Sequence, residues 1–86
     1  MYIYIVRVSI DWHNTDPTDI TIAFEDRNDA YTELVKQYNK FKREIAGKRD
    51  IAYDGGIVED AWRVFSESED YAYGWIEKIA LHPKKK

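Results

Sequence analysis

Five residues in and around one short stretch, Asp11, Trp12, His13, Asp16 and Asp19, bring an imidazole and three carboxylates within nine positions. Such groups could ligate a metal or carry protons between them. Their spacing matches no recognised ligand motif, and Asp, Asn and Pro in the same stretch are turn formers whose side chains cap their own backbone. The polar-loop reading is therefore preferred, and no metal, cofactor or catalytic residue is expected. Trp12 is the odd member: in a polar loop it is either a lid over the edge of the core or an exposed binding anchor.

Charge is the second chemical feature. Residues 36–49 hold six basic side chains, Lys36, Lys40, Lys42, Arg43, Lys48 and Arg49, against the single acid Glu44. Residues 1–35 have a net charge of −5 and residues 50–77 a net of −7, so the overall −3 conceals a basic middle between acidic flanks. Lys36, Lys40 and Arg43 fall at i, i+4 and i+7 and share one helical face. That face could contact phosphates or an acidic protein, or be a solvated helix back balancing Glu33 and Glu44. The acids Glu59, Asp60, Glu67, Glu69, Asp70 and Glu77 could imitate a row of phosphates; solubility and local pairing are the plainer account. Tyr71, Tyr73 and Trp75 could stack bases or form an aromatic hot spot. Core packing is preferred for them, because a single helix needs large side chains to fill the space beneath it.

Several classes are disfavoured. The 86 residues contain no cysteine, so they hold no disulfide, thiol nucleophile or thiolate metal site. There is no Gly-x-Ser-x-Gly, no phosphate-cradling glycine loop and no His pair at ligand spacing, and the chain is expected not to be an enzyme. A sequence pI near 5.3 argues against bulk affinity for nucleic acid. The apolar start, Met1 to Ile10, is too short to span a bilayer, and a cytoplasmic location is expected.

The elements that must position these groups follow from periodicity. Residues 2–10 alternate as a strand with Tyr2, Tyr4, Val6, Val8 and Ile10 on one face. Residues 19–24 alternate again with Ile20, Ile22 and Phe24 inward. Asp26 is a good N-cap, and Ala30, Tyr31, Leu34, Val35, Tyr38, Phe41 and Ile45 make the apolar stripe of a helix over 27–46 that ends at Gly47. Residues 47–56 read as a mobile connection. Residues 57–65 fit either period, and a strand over about 60–66 is preferred. Residues 71–81 form a last strand on which Tyr71, Tyr73, Trp75, Ile79 and Leu81 share a face, with Glu77 as the exception; the light opposite face, Ala72, Gly74 and Ile76, is left thinly covered. The expected fold is α+β, ββαββ: a four-stranded, mainly antiparallel sheet with one helix packed on one face. It makes a single domain over 1–82, followed by a flexible basic tail at 83–86.

This order of features resembles small uncharacterised ββαββ proteins of phages and bacterial mobile elements. The resemblance lies in the apolar strand 2–8, the Phe24 to Leu34 run into the helix, and Ile76-Glu77-Lys78-Ile79. It implies an inhibitor or modulator of a larger host protein, such as a defence nuclease, and transfers no site residues. The expectation drawn from it and from the surface is a small intracellular protein-binding module. Trp12, Lys36, Lys40 and Arg43 are its contacts, and a homodimer could form through the open sheet face. The alternative is a nucleic-acid-associated protein using the basic helix and tail.

Overall fold

The computed structural model describes residues 1–12, 15–46 and 51–81. Their element order is β1 (Tyr2–Asp11), β2 (Thr18–Phe24), α1 (Arg27–Glu44), β3 (Ile51–Val58), β4 (Ala61–Ser66) and β5 (Tyr71–Ala80). Among the described residues the strands form one five-stranded sheet in the order β2-β1-β5-β4-β3, every neighbouring pair antiparallel. The helix packs on one face, against β1, β5 and β2. The α+β class and the single helix agree with the sequence pattern; the strand count does not, since five replace four.

The helix forms where its signals lie. The Asp26 carboxylate accepts from the Asn28 amide at 2.6 Å, Asp29 sits in the first turn, and Lys42 and Arg43 lie in the last. These charges complement the helix dipole. The amides of Ile45 and Ala46 both donate to the Phe41 carbonyl, which closes the last turn. The stop expected at Gly47 and the tail at 83–86 lie outside the described residues.

The additional strand is β3, which occupies most of the segment read as a mobile connection. It joins β4 through Glu59 and Asp60, both in the left-handed region with φ of 51° and 64°. Two such residues make the tight hairpin turn that normally selects Asn-Gly. Two register shifts against β4, between Ile51 and Tyr53 and between Asp54 and Ile57, break the alternation that marks a strand.

The core is built from both sheet and helix: Val6, Val8, Ile10, Ala30, Leu34, Phe41, Trp62, Val64 and Ala72 are buried, and Trp12 is only 2% exposed. Trp12 meets Phe41 edge-on at 4.9 Å between ring centroids, and Phe41 stacks on Trp62 at 5.8 Å. With two indoles under the helix, the central strand beneath them must be small. The side of β5 facing the helix is accordingly Ala72, Gly74 and Ile76, the reverse of the sequence expectation. A Cβ at Gly74 would stand 2.7 Å from Trp62 Nε1 and 3.2 Å from Leu34 Cδ1. Gly74 thus marks a close approach and not a bulge, and the β5 register runs through it without a break. Gly74→Val should destabilise the fold by about 1–3 kcal/mol through overpacking. A urea melt checks this, and an unshifted midpoint would remove the close approach from the account.

Candidate functional site

The structure disperses the first-loop cluster. Asp11 ends β1 and is exposed, Asp16 is exposed in the loop, and Asp19 lies on β2, where its carboxylate accepts from Ser9 Oγ at 2.7 Å. His13 is outside the described residues. Trp12 is buried against Phe41, so the contact role expected of it is corrected: the ring is the lid that closes the core, with no face left for a partner.

The helix cations divide in two. Lys36, Lys40 and Arg43 are exposed; Lys40 lines a hollow between α1 and the sheet with Ile10, Thr18 and Ile20, and Arg43 donates to the neighbouring Glu44 at 2.9 Å. Lys48 and Arg49 are outside the described residues. Lys42 instead reaches β3. It pairs with the Asp54 carboxylate, which also accepts from Tyr38 Oη at 2.7 Å and from the Gly56 amide at 3.0 Å. This clamp ties α1 to the outer strand. Burial raises the Tyr38 hydroxyl above its ordinary 10.0, reinforced by the Asp54 carboxylate. The hydrogen bond to Asp54 raises Lys42 above 10.5 against the opposing effect of burial. Burial alone would push Asp54 up, but the bonds from Lys42, Tyr38 and Gly56 together hold it below 3.8.

These directions fix a pH dependence. The lowered Asp54 contributes stability that is present above 3.8 and is lost as pH falls through its folded value. The raised Lys42 contributes stability that is present below 10.5 and is lost as pH rises through its folded value. The stability gap between the wild type and Asp54→Asn should therefore be widest between these limits and narrow beyond each. Urea midpoints across pH measure the gap; a gap that is constant at all pH values would show that the clamp does not act through charge.

The acids form no row. Asp60 pairs with Arg27, Glu77 with Arg7 at 2.9 Å, and Asp54 with Lys42, while Ser66 Oγ donates to Asp70 at 2.9 Å within the β4–β5 turn. Local pairing thus accounts for Asp60, Asp70 and Glu77, half of the group expected to imitate phosphates. Glu77 is also no exception on its strand, because it lies on the face away from the helix, opposite Ile5 and bonded to Arg7.

That face carries the feature the sequence reading assigned to the core. Tyr71, Tyr73 and Trp75 stand side by side along β5, half-buried, on the side without a helix. Their rings stack at 5.6 Å and 5.3 Å between centroids, with interplanar angles of 19° and 20°. Phe65 on β4 and Tyr53 on β3, with centroids 5.9 Å apart, extend the aromatic surface. Two shallow hollows flank the row. Arg63, Phe65, Tyr71 and Tyr73 line one, and the other lies among Arg7, Ser9, Asp19, Thr21, Tyr73 and Trp75. Arg63 is exposed and makes no hydrogen bond or ion pair among the described residues. Chemically, this surface offers π-faces that attract thioether sulfur and cations, phenol hydroxyls that can donate, and a guanidinium fork for an oxygen acceptor. The signal that could have located it is the pair Ala72 and Gly74: small residues alternating with large ones mark the side where another element comes close.

No family model matches the chain, and no solved structure matches it. Curated proteins do. The chain is 33% identical over 84 residues to a peptide methionine sulfoxide reductase MsrA of Ligilactobacillus salivarius, an alignment covering 87% of this chain and 48% of that protein. It is 38% identical over 80 residues to the MsrA of Limosilactobacillus reuteri, covering 83% and 46%. A Listeria monocytogenes MsrA is 37% identical over 83 residues, covering 87% and 47%. These relatives overturn the resemblance to phage and mobile-element proteins, which rested on the order of elements and not on any site. The expectations of a host-protein inhibitor, of a non-enzyme, of a larger protein partner or homodimer, and of a nucleic-acid alternative fall with it, since the relatives are named for a redox reaction on peptides. Among the described residues no helix is long and apolar enough to cross a membrane. The chain spans about half the length of the curated relatives it matches.

Proposed function

We propose that this chain acts on methionine sulfoxide in peptides, binding the oxidised side chain on the aromatic face of β5. The observation that carries the reading is the 33–38% identity to peptide methionine sulfoxide reductases over 83–87% of the chain. The chemistry of the face supports it. A methionine sulfoxide side chain has an apolar stem and methyl group, which suit the flanks of Tyr71, Tyr73 and Trp75. Its sulfoxide oxygen is a strong acceptor, which suits the tyrosine hydroxyls.

Reduction of the sulfoxide consumes two thiols and yields a thioether, a disulfide and water. The 86 residues contain no cysteine, so the two electrons and two protons come from a dithiol outside them. The part assigned to this chain is to bind the sulfoxide and polarise its S–O bond, so that thiol attack at sulfur meets a partly neutralised oxygen. The test is the reduction of a methionine-sulfoxide peptide by dithiothreitol, followed by mass spectrometry with and without the chain. Faster loss of one oxygen with the chain present is expected. Identical time courses would contradict the reading.

A further inference from the structure

The strand register places four side chains of the open face in one line across the sheet. Arg63 of β4 is opposite Tyr73 of β5, Tyr73 is opposite Ser9 of β1, and Ser9 is opposite Asp19 of β2. The line has a guanidinium at one end and a carboxylate at the other. Between them lie an aromatic ring and a hydroxyl. The neighbouring line contains Trp75 and Arg7, and Arg7 is neutralised by Glu77 at 2.9 Å. Asp19 is held in place by Ser9, and Asp11, also exposed on β1, adds to the negative side. The line therefore has one cation, Arg63, at its β4 end, carboxylates at its β1–β2 end and an aromatic ring between.

We infer that this face selects peptides by the charges that flank the oxidised methionine. An acidic side chain docks on Arg63, a basic one docks on Asp19, and the methionine sulfoxide lies between them on Tyr73 and Trp75. The inference rests on the function proposed above. The spacing follows from chain geometry. Three inter-strand steps of about 4.8 Å span about 14 Å, and an extended peptide advances about 3.4 Å per residue. The two charges should then be about four residues apart, with the sulfoxide midway. Cation–π attraction from Trp75 adds to the site for the basic residue.

The test uses blocked five-residue peptides with methionine sulfoxide at the centre. The ends are Lys and Glu in both orders, Lys at both ends, or Glu at both ends, titrated at low salt. One of the dipolar peptides should bind about three- to fivefold tighter than either like-charged peptide, as exposed ion pairs allow, and the advantage should shrink at high salt. Arg63→Glu should transfer the preference to the Lys/Lys peptide, and Asp19→Lys should transfer it to the Glu/Glu peptide. Circular dichroism confirms that both variants fold. Equal affinities for all four oxidised peptides, with oxidised still preferred over unoxidised, would overturn the inference and leave the functional reading standing. A charge preference that is the same for oxidised and unoxidised peptides would overturn the functional reading and, with it, selection around an oxidised methionine. Binding of no peptide would overturn both.

Discussion

Trp12→Ala should lower the thermal midpoint by on the order of 20 °C. Truncating a buried Trp costs about 3–5 kcal/mol, and in a domain of this size each kcal/mol is worth about 4–8 °C. Trp12 is 2% exposed and meets Phe41 at 4.9 Å. Phe41 in turn stacks on Trp62, so the loss opens one end of a three-ring column beneath the helix. Small domains hold about 5–15 kcal/mol in total, and the variant should unfold near physiological temperature. Thermal circular dichroism measures the shift. A change of only a degree or two is the behaviour of an exposed side chain, and it would return Trp12 to the role of surface anchor.

Tyr73→Ala should have the largest effect on ligand binding. Tyr73 is the middle ring of the row, with Tyr71 at 5.6 Å and Trp75 at 5.3 Å, and it lines both hollows. Removing it takes away apolar contact area for the stem and methyl group of the side chain, about 25 cal/mol per Å², together with a hydroxyl donor. The affinity for a methionine-sulfoxide peptide should fall roughly tenfold, about 1.4 kcal/mol. The fold should change little, because the ring lies outside the helix-covered core. Tyr73→Phe should retain most of the affinity if stacking dominates, and should lose it if the hydroxyl donates to the sulfoxide oxygen. Isothermal titration with each variant separates the two contributions. Unchanged affinity in Tyr73→Ala would move the site away from β5.

The helix and β1, β2 and β5 were legible because each follows one clear period: α1 has its cap at Asp26 and its stripe through Leu34 and Phe41, and β1 alternates through Val6, Val8 and Ile10; β4 fits either period and reads as a strand from the turn that follows it. β3 was not legible. Its bulges interrupt the alternation, Gly55 and Gly56 read as loop, and Glu59-Asp60 lacks the glycine of the usual tight hairpin turn. The candidate site was missed for a different reason. A period of two shows that Tyr71, Tyr73 and Trp75 share a face, but it does not show which face meets the helix. Size suggested that the large rings fill the core. Trp62 and Trp12 fill it from β4 and from the end of β1 instead, and they force the small side of β5 inward. Trp12 looked like a surface residue because its sequence neighbours are polar, whereas its position directly after β1 carries it back over Phe41. The proposed function is not written in any motif; it rests on similarity to proteins about twice the length of this chain.

An oxidised methionine bound on the open face of β5 should perturb the residues that it touches. The most direct measurement is a two-dimensional amide and indole NMR titration of the chain with a methionine-sulfoxide peptide and, separately, with its unoxidised form. The shifts should follow the oxidised peptide and cluster at Arg63, Tyr71, Tyr73 and the Trp75 indole, with the buried Trp12 and Trp62 indoles unmoved. Shifts confined to α1, or identical shifts with the unoxidised peptide, would contradict it.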